Sequence, residues 1–282
     1  MLELSRGKRN IGGSTRITIA SLRSSETGVS LLKISVLTVC WNSAKTIRYT
    51  LDSFFDQEHQ EKELVVVDGA SSDATLDIVR SYPTERIKLV SEPDRGMYDG
   101  LNKALALCTG DAIGVLNSDD TYHEVGSLGR IAAALRDVDI VHGHLNFVND
   151  HRHKKVVRRW RAQVQPSSGF RSGWMPAHPT FYVRRRVAEA VGPFDLSFKV
   201  ASDYDWMLRA IGIHEFRTAM IDHVLIDMMQ GGKSTSSWRS HLDHNLEALQ
   251  SRRRWLGAGR VDYALFAKPM RKLGQFFAWA GA

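Results

Sequence analysis

From Lys33 onward, short apolar runs alternate with stretches whose apolar residues recur every three or four positions. Ile34-Ser35-Val36-Leu37-Thr38-Val39-Cys40 has the length and β-branched content of a buried strand. Ile47, Leu51, Phe54 and Phe55 then share one helical face. A strand over Leu64–Val67 follows, then a helix through Leu76 and Val79 with Ser71 or Ser72 as its N-cap. A third strand, Ile87–Val90, precedes a helix carrying Met97, Leu101, Ala104 and Leu105, which Gly110 ends. Ala112–Leu116 is the fourth strand. Strands separated by helices predict an α/β fold: a mostly parallel central sheet flanked by helices.

The second half is less regular. A helix near Val125–Leu135 leads to a strand at Ile140–Val141 and a basic, extended region from Arg152 to Arg161. An irregular segment precedes a strand at Thr180–Val183 and a helix at Arg184–Val191. A further helix holds Asp203 to Ala210. Residues 1–32, rich in Ser, Arg, Gly and Thr, read as an extension with a short strand near Arg16–Ala20.

Composition adds bounds. Of 282 residues, 43% are hydrophobic and 24% charged, which suits a folded chain with a sizeable core. Cys40 and Cys108 sit in or beside apolar runs and read as reduced core thiols. No apolar run approaches the ~18 residues of a membrane span, and no secretory signal stands at the N-terminus. A cytoplasmic location is expected. Net charge is +7, and Arg252–Ala282 carries seven basic residues against one acidic. With Pro269 in a first turn, Met270, Leu273 and Phe277 share a face of an amphipathic C-terminal helix. Two readings stand for it: peripheral contact with an anionic membrane, or packing on the domain with a solvated basic face. No nucleic-acid motif accompanies the charge, so nucleic acid is not an expected partner. Arg184–Arg186 reads as a solvated helix start or as a guide for an anionic acceptor.

Asp68, Asp94, Asp119 and Asp120 lie at the ends of strands or in the turns that follow, where open α/β sheets bind ligands, and Asp203 joins them from further along. Carboxylates crowded at such an edge call for a divalent cation, and the cation for a phosphorylated substrate. Sugar transfer from a nucleoside diphosphate needs three things: stabilisation of the departing diphosphate, a grip on the nucleoside, and, with inversion, a base for the acceptor hydroxyl. Asp119 and Asp120 suit metal and ribose contact. Asp73 and Asp99 suit helix starts instead. Asp205 suits support of the fold, and Asp203 on its own could equally cap its helix.

The chain resembles the inverting family 2 glycosyltransferases of the GT-A fold, in the branch that builds bacterial polysaccharides and glycolipids. The matching pieces begin with Ile34–Asn42, Val66–Thr75, Ser91–Ala104 and Leu116–Asp120. They continue with His178–Phe181, Gly192–Asp195, Ala201–Asp205 and Gln230–Ser234. The resemblance implies a catalytic domain over 33–235, with a nucleotide-sugar half at 33–122 and an acceptor and catalytic half at 123–235. A basic C-terminal region follows at 236–282. It implies Val39, Trp41, Asp68 and Asp94 around the nucleoside, and Asp119 and Asp120 on ribose and on Mn2+ or Mg2+. Asp203 would be the base, with Gly231, Gly232 and Ser234 near the diphosphate and His178 on the acceptor side. The implied partners are a nucleoside-diphosphate sugar and a saccharide or lipid-linked saccharide, met at the inner membrane face. Many relatives carry two aspartates where this chain has Asp68-Gly69, and Asn117 replaces the first acidic residue of their metal motif.

Rival readings are a sugar nucleotidyltransferase and a catalytically silent nucleotide-binding protein of the same fold. The first needs a Gly-rich basic loop after the first strand, where Val39-Cys40-Trp41-Asn42-Ser43 stands; a dinucleotide enzyme would need Gly-x-Gly-x-x-Gly there. The second conflicts with the joint presence of Asp68, Asp119, Asp120 and Asp203.

Overall fold

Seven consecutive residues, Ile34–Cys40, form β2, the strand around which the rest is organised. The computed structural model describes residues 15–17, 32–231, 238–259 and 262–263. In chain order the first half contains β1 (Thr15–Ile17), β2, α1 (Ile47–Phe55), β3 (Lys62–Asp68), α2 (Thr75–Arg80), β4 (Ile87–Ser91), α3 (Met97–Leu107) and β5 (Ala112–Val115). The second contains β6 (Asp120–Tyr122), α4 (Ser127–Ala134), β7 (Ile140–Val148), β8 (Val156–Trp160), β9 (Tyr182–Arg184), α5 (Arg185–Val191), α6 (Ser202–Leu208), β10 (Thr218–Met229) and α7 (Trp238–Leu256).

One sheet runs through both halves in the order β1-β10-β7-β9-β5-β2-β3-β4, with β6 added to β10 and β8 to β7. β5, β2, β3 and β4 are parallel, as their intervening helices require; β9 enters antiparallel between β5 and β7. The chain moves outward from β2 to β3 and β4, then returns to the other side of β2 as β5. That reversal opens a crevice at the carboxyl ends of β2, β3 and β5.

Strand side chains alternate between two cores, as the period of two demands. Leu64 and Val66 of β3 join α1, α2 and α4 on one face. Val65 and Val67 join α3, α5 and α6 on the other. Cys40 and Cys108 are buried free thiols.

Several boundaries differ from the sequence reading. Neither Ser71 nor Ser72 caps α2; Asp73 accepts the Thr75 N–H at 3.0 Å, because Ser71 is bound to Asp68. α3 stops at Leu107, and Gly110 instead lies flat against β2, where a Cβ would meet the Lys33 carbonyl oxygen at 2.7 Å. β7 continues to Val148, and His178–Thr180 is a 3-10 turn preceding β9. β10 escapes the alternation test because it bulges twice between Ile221 and Ile226, which breaks the period. α7 packs on α6 through Ala248 and the buried Arg252, whose guanidinium donates to Tyr204 Oη at 2.9 Å. The segment bearing Met270, Leu273 and Phe277 lies outside the described residues. Arg184–Arg186 does sit at the start of α5, and each is also engaged: Arg184 and Arg185 donate to the carbonyls of Leu135 and Gly110, and the exposed Arg186 pairs with Asp139.

Candidate active site

The loops leaving β2, β3, β4 and β5 are tied to one another at the crevice. Asn42 bridges β2 to β3, donating its N–H to Ser71 Oγ at 2.8 Å and accepting the Ser72 N–H at 2.9 Å. Ser43 Oγ lies 3.0 Å from Ser118 Oγ, joining the loops after β2 and β5. Asn42 and Ala70 hold φ of 50° and 59° with side chains attached, a left-handed conformation that costs roughly 1–2 kcal/mol and persists because these bonds over-determine it.

Asp68 ends β3 fully buried. Its carboxylate accepts from Ser71 N–H at 2.9 Å, from Ser91 Oγ at 2.7 Å and from the Ser71 hydroxyl, with the Cys40 thiol at 3.6 Å. Burial, and next to it Asp68's charge, push the Cys40 thiol well above its usual range, so it stays protonated. Asp68 therefore forms the floor of the crevice and locks its loops. Val39 lies beneath α3, pressed against Gly100, where a Cβ would fall 2.6 Å from Val39 Cγ1. Trp41 stands half-exposed at 55% on the rim. Asp94 enters from the loop after β4, with Oδ1 accepting the Gly96 N–H at 2.9 Å.

Asp119 and Asp120 differ in their surroundings. Asp120 is fully buried in β6; its oxygens accept from Asn117 Nδ2 at 2.8 Å and Met229 N–H at 3.3 Å. Burial, then the neighbouring Asp119 charge, hold its carboxyl well above the usual range. Asp119 has no hydrogen bond to another described residue, and burial raises its carboxyl too. A desolvated, uncommitted carboxylate favours a cation. Among the described residues no cluster of three or more His, Cys, Asp or Glu could hold a metal. One carboxylate plus substrate phosphates is an ordinary Mg2+ arrangement, so the donor set fits an ion that arrives with a diphosphate.

Asp203 lies in the first turn of α6. Tyr98, in the first turn of α3 just past Asp94, donates its hydroxyl to Asp203 Oδ1 at 3.2 Å, which brings α6 to the crevice edge. Burial, reinforced by the Asp203 charge, holds the Tyr98 hydroxyl far above its normal range, so it remains a donor. His178 Nδ1 lies 3.9 Å from Asp203 Oδ2, too far for a hydrogen bond. Burial lowers the His178 pKa, so the ring is neutral near pH 7 and the contact is not an ion pair. Oδ2 is left open.

Two supports hold this region: Glu247, which the sequence does not reveal, and Asp205, which the sequence reads as a support of the fold. Glu247 of α7 accepts the N–H groups of Lys199 at 3.0 Å and of Val200 and Ala201 at 2.9 Å each, fixing the approach to Asp203. Asp205, buried, accepts from Arg209 Nε, Ser251 Oγ and Trp255 Nε1 within 2.9 Å. Gly231 takes φ of 103° two residues after the end of β10, a conformation that suits glycine. Gly232 and Ser234 lie outside the described residues.

The model of the family described as "Glycosyl transferase family 2" matches residues 35–192, more than half of the chain. The chain belongs to glycosyl transferase family 2. A mycobacterial relative, the PGL/p-HBAD biosynthesis glycosyltransferase of Mycobacterium tuberculosis, is 29% identical over 189 residues, covering 62% of this chain and 68% of its own. The putative teichuronic acid biosynthesis glycosyltransferase TuaG of Bacillus subtilis is 37% identical over 92 residues, 32% of this chain and 36% of its own. Among solved structures, S. aureus TarS 1-349 in complex with UDP-GlcNAc superposes with a TM-score of 0.66 at 22% identity. That match covers 88% of this chain and 73% of the other. The mannosyltransferase of Pyrobaculum calidifontis in complex with GDP-Man and Mn2+ gives 0.62 at 20%, covering 90% and 76%. These structures share the GT-A-like fold of this family 2 glycosyltransferase. No helix among the described residues is long and apolar enough to cross a membrane.

Proposed function

We propose that the protein transfers a sugar, with inversion, from a nucleoside-diphosphate sugar to a saccharide or lipid-linked saccharide in cell-surface glycoconjugate synthesis. The observation that carries this reading is the state of Asp203. One oxygen is held by the Tyr98 hydroxyl and the other is uncommitted, on a helix turn fixed from both sides. A carboxylate so oriented can accept the proton of an acceptor hydroxyl as that oxygen attacks the anomeric carbon. Inversion follows from a single displacement in which the diphosphate leaves from the opposite face.

Trp41, Val39 and Asp94 would contact the nucleoside, over a floor made by Asp68. Asp119 would hold Mn2+ or Mg2+ together with the diphosphate, and the ion supplies charge stabilisation to the leaving group when bound. Asp120 keeps Asp119 in place through the Asn117 turn rather than reaching the ion itself. Support for a nucleotide-sugar donor comes from the solved neighbours, which carry UDP-GlcNAc or GDP-Man. Support for a glycoconjugate acceptor comes from the names of the mycobacterial and Bacillus relatives.

The test is thermal stabilisation by a panel of nucleoside diphosphates with and without Mn2+, followed by product analysis with the nucleotide sugar so identified. A metal-dependent rise in Tm with one nucleotide, and a product of inverted anomeric configuration, are expected. No rise with any nucleotide would sink the reading. A rise without turnover in any acceptor assay would favour the silent nucleotide-binding protein.

A further inference from the structure

We infer that the cleft between β8, the segment after it and β10 is an acceptor subsite for an anionic group, so that the acceptor is a saccharide bearing phosphate or carboxylate. This rests on the glycosyl-transfer reading and specifies the acceptor class which that reading leaves open.

The cleft has a volume of about 750 Å3, and Asn146, Arg159, Trp160, Arg161, Gln163 and Asp222 are among its walls. Its side of the sheet follows from β7. Val141, Leu145 and Phe147 belong to the core shared with α1 and α4. Ile140 belongs to the opposite core, and the His142 ring meets Trp174 of that core at 5.8 Å. His144 and Asn146 continue the His142 face by the period of two, and Asn146 pairs across the ladder with Arg159. The cleft therefore opens on the side of the sheet that carries α3 and α6, and with them Asp203. The chain itself links the two places. Gln163 gives its carbonyl to Trp174 Nε1 at 2.9 Å, and four residues after Trp174 the backbone reaches His178, beside Asp203.

Charge names the ligand. From Arg152 to Arg161 there are six Lys or Arg residues and no acidic one. Lys154 is committed to Asp227 at 3.2 Å, and the Arg158 guanidinium lies 3.5 Å from the centre of the Phe147 ring. Arg159 and Arg161 are exposed, and neither guanidinium has a hydrogen bond or ion pair with another described residue. Arg184, Arg185, Arg186, Arg252 and Arg254, by contrast, are all engaged. Two forked guanidiniums on one face suit a phosphate or carboxylate. The acidic side chain of the cleft, Asp222, is held by His144 at 3.0 Å.

A second, independent feature calls for hydroxyl groups. Asn146 is 4% exposed and donates to Asp227 Oδ1 at 3.1 Å, while its own Oδ1 is buried without a partner. That oxygen is closed to solvent as it stands, and once a small side-chain shift opens it to the cleft it is satisfied by a hydroxyl donor and not by an anion. Hydroxyl and anion together describe a charged saccharide.

The test uses the full chain with mannose 6-phosphate, glucuronic acid and neutral mannose, by calorimetry and ligand-observed NMR at low and high salt. At least one charged sugar should bind about tenfold or more tightly than mannose. Salt should weaken that preference, and the Arg159→Gln/Arg161→Gln variant should abolish it with nucleotide stabilisation unchanged. The arm that binds names phosphate or carboxylate. Equal binding of charged and neutral sugars, no binding of either charged sugar, or full retention in the variant overturns the proposal. Charged-sugar binding in a protein that no nucleotide stabilises would sink the transfer reading and leave the subsite standing.

Discussion

Asp94 occupies the space that a side chain on residue 69 would need: a Cβ at Gly69 would come within 2.8 Å of Asp94 Oδ2. The same oxygen would lie 3.5 Å from a Cβ at Gly100, so Asp94 is slotted between two glycines. At the end of β3, where many relatives carry two aspartates, this chain has Asp68-Gly69, and a second carboxylate comes from the loop after β4.

Gly69→Ala should therefore act through Asp94. The expected outcome is a loss of about tenfold in nucleotide affinity, near 1.4 kcal/mol, with little change in Tm. In the Asp94→Ala background the same substitution should have almost no further effect, a non-additivity that a double-mutant cycle by calorimetry measures. Additive losses would show that residue 69 works independently of Asp94.

Asp119 and Asp120 should separate cleanly. Asp119→Ala removes a desolvated charge with no hydrogen bond among the described residues, so Tm of the free protein should hold or rise while Mn2+-dependent nucleotide stabilisation is lost. Asp120→Ala leaves Asn117 Nδ2 and the Met229 N–H without their acceptor, and should cost about 1–3 kcal/mol of stability. Calorimetric unfolding with and without nucleotide and Mn2+ checks both. Loss of metal response only in the Asp120 variant would reverse the assignment.

For Asp203→Asn, turnover should fall roughly 10²–10⁴-fold, since the amide cannot accept the acceptor proton. Donor affinity should stay near wild type. Tyr98→Phe removes the hydrogen bond to Oδ1 and should lower kcat by a smaller factor, about tenfold. Steady-state kinetics alongside nucleotide calorimetry distinguishes a chemical defect from a binding one. An Asp203→Asn protein of undiminished turnover would exclude it as the base.

Glu247 is expected to act on catalysis from a distance, as a positioning residue. Glu247→Ala leaves three backbone N–H groups around Val200 without their acceptor, costing about 1–3 kcal/mol in urea unfolding. Glu247→Gln keeps part of the network and should be nearly as stable as wild type. Its kcat should still fall about tenfold at unchanged nucleotide affinity, because a small displacement of a reacting group is expensive. Unchanged kcat in the Gln variant would reduce Glu247 to a structural tie.

His142 should make stability sensitive to acid. It is fully buried with both ring nitrogens unpartnered, and burial lowers its pKa from 6.5 to about 3. Below pH 6.5 the unfolded chain binds a proton that the folded one refuses, so stability falls as pH drops from 6.5 toward 3. The slope approaches 1.4 kcal/mol per pH unit. His142→Phe should remove that contribution, so the gap between variant and wild type widens in favour of the variant as pH falls. A constant gap between pH 7 and 5 would show that His142 takes up its proton in the folded state.

Local pattern reached far into the first half. The runs ending at Cys40, Val67 and Leu116 correspond to β2, β3 and β5 because parallel strands buried on both faces are nearly continuous apolar sequence, and the shorter run ending at Val90 is the half-buried edge strand β4. The same logic placed Asp68 and the Asn117–Asp120 turn at the carboxyl edge. It failed at β10, where the bulges and the polar residues Asp222, His223 and Asp227 hide a twelve-residue strand. It also failed at β6, three residues whose strand character exists only through pairing with β10.

Sequence alone thus determined the strand–helix order of the first half, the crevice edge and the acidic residues along it, since each follows from periodicity within a few neighbours, while Asp203 was marked by the family resemblance. The tertiary structure decided which carboxylates are available. It sealed Asp120 and Asp68 behind hydrogen bonds, left Asp119 and one oxygen of Asp203 uncommitted, and set Asp94 in the gap above Gly69. Glu247 joined the site from 44 positions beyond Asp203 by way of α7. Such contacts depend on how distant segments pack, and burial and hydrogen bonding, which govern a carboxylate's chemistry, do not exist until they do.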